Sequence, residues 1–464
     1  MPQRQTPSMI KNLVENQKEF FTSQQTKEVN FRRKYLKKLH KVLIAHEDAI
    51  CDAIYKDFRK PKFESLVTET QIVLSELKYI INNLEFWVKP KRVQGPLANL
   101  PSSNWLYHEP YGSVLIISPW NYPFMLCISP LIGALAAGNT VVLKPSELSP
   151  NTSKAIFTLV EEVFPKEYVT VVEGGVEVSQ ELLAEQWDYI FFTGSSHIGK
   201  IIYKSAAEHL TPVTLELGGK NPCIIDETAA IHLAATRIAW GKFMNAGQTC
   251  VAPDYILIQK TVKDTFVDAL KKQIEKFYGP AIEESSDFAR ITTSKHYQAL
   301  KKMIVGETLL FGGGYNDETQ YIEPTIIDKP SLDSAVMQGE IFGPILPILS
   351  YDSEDEIGQI ILNYEKPLSL YVFSTRKKFQ KKIINTYGFG GGCVNDVVMH
   401  IANKNLPFGG VGESGIGGYH GKHSFQLFSH VKSIVKKPNW GDIPMRYPPY
   451  KLPEKWIKLF RHIL

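Results

Sequence analysis

Apolar residues recur at spacings of three and four over 31–55 and again over 66–87, which predicts two long amphipathic helices in a helical region covering 1–90. Pro90, Gly95, Pro96, Pro101 and Pro110 then break that period, so 89–110 is predicted to be extended, as a linker or as a strand arm reaching away from its domain. From Ser113 onward the pattern alternates. Short, continuously apolar runs at 114–118, 140–143, 169–172 and 189–192 predict strands, and helical patterns near 124–137, 152–163, 176–184 and 197–210 separate them. Strands apolar on both faces and divided by helices imply a parallel sheet covered on both sides. Right-handed crossovers make such a sheet doubly wound, with its ligand site at the carboxyl ends of the strands. A second alternating block runs from Pro222 through 368–374 to about Val394 and predicts a second α/β domain.

Size and charge narrow the functional class. A chain of 464 residues, 44% hydrophobic and 22% charged, has the composition of a soluble globular protein of two or three domains. The net charge of +4 is spread along the chain, and no dense Lys/Arg block with interleaved aromatics points to nucleic acid. The longest apolar stretch, 124–138, contains Pro130 and is too short to span a bilayer, and the N-terminus has no apolar signal region. The basic, amphipathic segment 456–464 allows at most a peripheral membrane contact; packing on its own or a neighbouring subunit is the alternative. Five scattered cysteines without a C-x-x-C fit a reducing cytoplasm, and the twelve histidines form no metal-binding spacing, so no metal is expected.

The candidate chemistry centres on Cys250, in a loop of small and polar residues, Asn245-Ala-Gly-Gln-Thr-Cys-Val-Ala-Pro-Asp254. A thiolate attacks carbonyl carbon well, and small neighbours let substrate and backbone N–H groups approach it. Asn121, held between Pro119 and Pro123, can aim an amide at an oxyanion or simply serve its turn. Glu216, in the apolar run 213–217 ahead of Gly218-Gly219, is a part-buried carboxylate suited to general-base work; Glu340, before Ile341-Phe342, is a second such carboxylate. Either acid can instead be a salt-bridged structural residue. Gly194, Ser195 and Gly199 form a strand-to-helix turn whose free N–H groups can receive phosphate, although G-x-x-x-x-G is not the dinucleotide fingerprint. Lys144 and Glu147 sit after another predicted strand, where they can hold ribose hydroxyls or form a solvated turn. Tyr122, Trp240, Met244 and Phe408 are candidates for an apolar substrate funnel, against the commoner role of aromatics in a core.

Taken together, Trp120-Asn-Tyr-Pro123, Phe192-Thr-Gly-Ser195, Leu215-Glu-Leu-Gly-Gly-Lys220, the Cys250 loop, Glu340-Ile-Phe-Gly-Pro344 and Leu406-Pro-Phe-Gly-Gly410 resemble the aldehyde dehydrogenase superfamily, class 3 or fatty-aldehyde type, over nearly the whole chain. The resemblance implies two doubly wound α/β domains with a small oligomerisation arm. The cofactor domain would be 1–88 and 111–218 with part of 405–430, the catalytic domain 219–404, and the arm and tail 89–110 and 431–464. It further implies a homodimer and NAD as cofactor, with NADP possible. Cys250 would be the nucleophile, forming a thiohemiacetal and then a thioester, with Asn121 at the oxyanion and Glu216 activating water. Glu340, Phe342, Gly194, Ser195, Gly199, Lys144, Glu147 and Phe408 would be cofactor contacts, and Tyr122, Trp240 and Met244 the substrate pocket. The implied reaction oxidises medium-to-long aliphatic or aromatic aldehydes to acids. A CoA-acylating dehydrogenase and a catalytically silent relative remain the alternatives, and Glu340 remains a rival to Glu216 as the base.

Overall fold

The computed structural model describes residues 7–96, 99–442 and 446–449; the amphipathic segment 456–464 lies outside them. The first predicted helix spans Val29–Phe58, a few residues longer at each end than its pattern suggested, and Leu36, Leu39, Leu43 and Ile54 on its apolar stripe are fully buried. The second is broken near its start. Lys62–Ser65 leads into a single π turn, Leu66–Thr70, before the regular helix Gln71–Trp87. The wider turn carries Glu69, which is completely buried and paired at 2.8 Å with the equally buried Lys60. Its other oxygen accepts the backbone N–H groups of Phe124 and Met125, fixing the start of the helix Met125–Ala137 just beyond Asn121.

The first alternating block forms a six-stranded sheet in the order Gly415–Ile416, Val213–Glu216, Tyr189–Thr193, Ser113–Ile117, Thr140–Lys144, Val169–Val171. Five strands are parallel; Gly415–Ile416, supplied from far along the chain, is an antiparallel edge. The order of the parallel strands reverses between Ser113–Ile117 and Tyr189–Thr193, which puts a topological switch point at the carboxyl ends of those two strands. The second block is a seven-stranded sheet containing Pro222–Ile225, Tyr255–Gln259, Ser369–Phe373 and Gly391–Val394, parallel except for its edge Leu309–Phe311. The proline-rich excursion resolves as strands: Ser103–Pro110 is the centre of a separate antiparallel sheet, with Lys91–Val93 on one side and Ser429–Lys436 on the other. No helix among the described residues is long and apolar enough to cross a membrane.

Candidate active site

Cys250 stands between two cavities. One, of about 260 Å³, opens at the switch point and is lined by Asn121, Gly194, Ser195, Gly218, Glu340 and Phe342 together with Cys250. The other, of about 280 Å³, is lined largely by hydrocarbon, including Tyr122, Met125, Trp240, Met244 and Phe408, again with Cys250. Glu216 borders both.

Local backbone geometry presents the sulfur. Asn245, Ala246 and Gly247 all take left-handed conformations (φ of 55°, 51° and 75°), an unusual run that turns the chain sharply after the helix Ile231–Phe243. Gly247 is obligatory, because a Cβ there would lie 2.2 Å from the carbonyl oxygen of Gly343. The turn is held by side chains from distant segments. Glu64 accepts the backbone N–H of Asn245 at 2.8 Å, and Asn245 Nδ2 donates to the carbonyls of Asn121 (2.9 Å) and Gln248 (3.2 Å). Asn121 Nδ2 donates to the Gln248 carbonyl at 3.1 Å, which uses one amide hydrogen and leaves the other available to an oxyanion. Tyr122 packs its ring 3.8 Å from Lys60 Nζ and shares a 2.7 Å hydrogen bond with Thr249, next to Cys250.

Burial governs the electrostatics. The Cys250 thiol is pushed up by burial, with Glu340 and Glu216 adding to the shift and the backbone N–H groups of Cys250 and Val251 opposing it. Glu216, 2% exposed and with neither carboxylate oxygen hydrogen-bonded, is raised well above the usual carboxylate range by burial. Glu340 is pushed up to about 8, first by burial and then by Asp254, against the backbone N–H of Gly219 and the Lys220 ammonium. A buried ion pair, Lys220 with Asp254, holds the chain on both sides of Glu340. Lys220 bonds Asp254 at 2.7 Å and the carbonyls of Val336 and Gly339 at 2.7 and 2.8 Å, while Asp254 accepts the N–H of Ile341 at 3.0 Å. Lys220 directly after Gly218-Gly219 and Asp254 directly ahead of the apolar run 255–258 are the signal in the sequence.

Two expected cofactor contacts lie elsewhere. Phe408 borders the apolar cavity rather than the switch-point cavity and stacks on His420 at 5.4 Å. Gly199 is buried in the helix Ser196–Glu208, where a Cβ would come within 2.8 Å of Leu217; its smallness brings helix and sheet together and lines neither cavity. Lys144 and Glu147 form a 3.2 Å pair at the carboxyl end of the next strand over, beside the cavity rather than in its wall.

A profile of the Aldehyde dehydrogenase family matches residues 2–434. The chain belongs to this family. Similar members include a 4,4'-diaponeurosporen-aldehyde dehydrogenase of Staphylococcus aureus, 49% identical over 98% of this chain and 99% of the relative. Another is a dimeric NADP-preferring aldehyde dehydrogenase of Canis lupus familiaris, 43% identical over 95% of this chain and 98% of the relative. A solved structure of Staphylococcus aureus AldH in a substrate-bound state superposes with a TM-score of 0.95 at 49% identity, covering 97% of this chain and 99% of that one. This aldehyde dehydrogenase is thus an oxidoreductase that oxidises aldehydes with NAD or NADP.

The switch-point cavity suits such a dinucleotide. Ser195 caps the helix Ser196–Glu208, its Oγ accepting the Ile198 N–H at 3.4 Å, and it lines the cavity with Gly194, so the positive end of that helix starts at the cavity wall. Gly218 leaves space that a Cβ would take from Glu340, 2.0 Å from its Oε2, and Glu340 Oε1 is buried without a partner, as an acceptor awaiting a hydroxyl would be.

Proposed function

We propose that this enzyme oxidises aldehydes bearing long aliphatic or aromatic groups, with Cys250 as nucleophile, Asn121 and the Cys250 backbone N–H as oxyanion donors, and Glu216 as the base that releases the acid. The reading is carried by one observation: Cys250 and Glu216 both border the cavity suited to the dinucleotide and the apolar cavity. The Cys250 thiol gives up its proton to water, Sγ bonds to the aldehyde carbon as the C=O π pair moves onto oxygen, and that negative charge faces Asn121 Nδ2. The hydride acceptor for that carbon would be supplied by NAD(P), and an acyl thioester would be left on Cys250. Glu216 then removes a proton from water, the hydroxyl adds to the acyl carbon, and the C–S bond breaks to release the acid and restore the sulfur. Glu340 borders the cofactor side alone, which favours a ribose-holding role and leaves the base to Glu216. Gly194 and Ser195 would receive the cofactor's phosphates, Phe342 would lie beside the nicotinamide ring, and Lys144 with Glu147 would hold the adenosine ribose.

The hydrocarbon lining supports a long apolar substrate, as does the Staphylococcus aureus relative named for 4,4'-diaponeurosporen-aldehyde. A panel of alkanals, aromatic aldehydes, betaine aldehyde and succinic semialdehyde, each assayed with NAD and NADP, tests it. Long alkanals are expected to have the highest kcat/KM; preference for betaine aldehyde or the semialdehyde would refute the assignment.

The arm sheet supports a homodimer. Its strand Ser429–Lys436 pairs with Ser103–Pro110 on one side and, among the described residues, has no strand on its other edge, while Val431 and Val435 are exposed on one face, a template for a second copy. The domain boundaries given above place this arm outside both α/β sheets. Light scattering after gel filtration should give twice the chain mass, and a monomer at micromolar concentration would refute the dimer. Five unpaired cysteines suit a reducing cytoplasm.

A further inference from the structure

Left-handed backbone at Ala246 (φ 51°) costs free energy that a glycine there would not incur, so the run Asn245–Gly247 ahead of Cys250 depends on ties from elsewhere in the chain. One of those ties is charged. Glu64 Oε1 accepts the Asn245 N–H at 2.8 Å across 181 positions of sequence. Asn245 in turn donates through Nδ2 to the carbonyls of Asn121 and Gln248, and the Gln248 carbonyl also accepts Asn121 Nδ2 at 3.1 Å. The Gln248 side chain closes the turn by donating to the carbonyls of Asn245 and Arg290, both at 3.0 Å. A shift of Asn245 therefore shifts both the Gln248 carbonyl, two residues before the nucleophile, and the amide that faces the oxyanion. Glu64 itself lines neither cavity, so it can act on the reaction only through this turn.

We propose that Glu64 is a positioning residue for the first chemical step: its carboxylate clamps the Asn245–Gly247 turn, and through it holds Cys250 Sγ and the Asn121 amide in register with the aldehyde. The inference rests on the assignment of Cys250 and Asn121 above and adds a residue that acts through them. Ionisation sets the grip, because a carboxylate accepts an N–H more strongly than a carboxylic acid does. Burial pushes the Glu64 carboxyl up to about 7, against the Lys60 ammonium and the Asn245 N–H, with Glu69 and Asp287 adding to the rise. The hydroxyls of Tyr122 and Tyr278 also face it, and burial keeps both protonated. Lys60 is shared with Glu69, its partner at 2.8 Å, and so does not neutralise Glu64 outright. The clamp therefore tightens as pH rises through about 7.

The test is the single-turnover rate of NAD(P) reduction by the full-length enzyme, in wild type, Glu64→Ala and Glu64→Gln, with Cys250→Ala as the reference. Glu64→Ala removes the acceptor and is expected to slow this step by about tenfold to a hundredfold, while the Kd for NAD stays within about twofold of wild type. Glu64→Gln keeps an oxygen for the Asn245 N–H without the charge. It should restore the rate to within about threefold of wild type at pH 6, and wild type should then gain on it by about fivefold between pH 6 and pH 8. A residue that merely supported the fold would lower the melting temperature and leave that ratio flat. Glu64→Ala that reduces cofactor at the wild-type rate, or a ratio of wild type to Glu64→Gln that does not change with pH, overturns the clamp; the second criterion decides alone if Glu64→Ala does not fold. Turnover retained by Cys250→Ala would instead overturn the nucleophile assignment on which the clamp depends.

Discussion

Replacing Cys250 by alanine is expected to lower aldehyde-dependent reduction of NAD(P) by at least about 10³-fold while leaving the fold and cofactor binding intact. The change deletes one sulfur at the junction of two cavities, so neighbouring side chains lose few contacts. The melting temperature should accordingly stay within about 4 °C of wild type. Fluorescence titration should give an unchanged Kd for NAD, since the groups placed to hold it are on the switch-point loops. The rival thiol is Cys393, whose Sγ lies 3.6 Å from His400 Nδ1 and so resembles a cysteine–histidine pair. Burial raises both thiols, so the difference lies in partner and place: burial lowers His400 to about 4, which makes it a weak base for Cys393. Cys393 also lines neither cavity. Cys393→Ala should therefore turn over normally, and activity that follows Cys393 instead of Cys250 would sink the assignment.

How far the chain could be read before its structure depended on whether each signal was local. The helix Val176–Ala184 has the bounds its periodicity predicted, and the apolar runs of the first sheet sit within a residue or two of the observed strands, because burial on both faces leaves a pattern that needs no partner to recognise. The proline-rich stretch could be seen to be extended, but not that Ser103–Pro110 would pair with Ser429–Lys436 more than three hundred residues later. The π turn at Leu66–Thr70 left no trace in the spacing of apolar residues, since its cause is the non-local demand of Glu69 for Lys60 and for the backbone of Phe124. Phe408 and Gly199 show the same limit at the site. An aromatic or a glycine in a familiar motif announces that a place is constrained, while which cavity or packing surface constrains it is decided by chain segments the motif does not contain.

Glu216→Gln is expected to separate the two halves of the reaction. The amide keeps the shape of the carboxylate but cannot take a proton from water, so steady-state turnover should fall by about 10²- to 10⁴-fold. Attack by Cys250 needs no base at that position once the sulfur is ionised, so one equivalent of reduced cofactor per active site should still form in a rapid burst, and the acyl enzyme should accumulate to be seen by mass spectrometry. The raised pKa of Glu216 adds a signature in pH. Only the carboxylate form works as a base, so the deacylation rate of wild type should climb with pH toward the raised value, and Glu216→Gln should lose that climb. The same shift predicts stability with its sign worked out. Above the ordinary value of 4.5 the unfolded chain has released this proton while the native state still holds it, so the stability Glu216 contributes is complete below 4.5 and is lost as pH rises through the native pKa. A neutral glutamine carries no such dependence, so Glu216→Gln should lose less stability than wild type between pH 5 and pH 8, as read by denaturant unfolding. An enzyme that is hydrolytically dead yet relatively better folded at high pH is hard to explain by damage to the fold. Loss of the burst together with turnover would instead place Glu216 at the first step, as the group that takes the thiol proton, and would return the second step to Glu340.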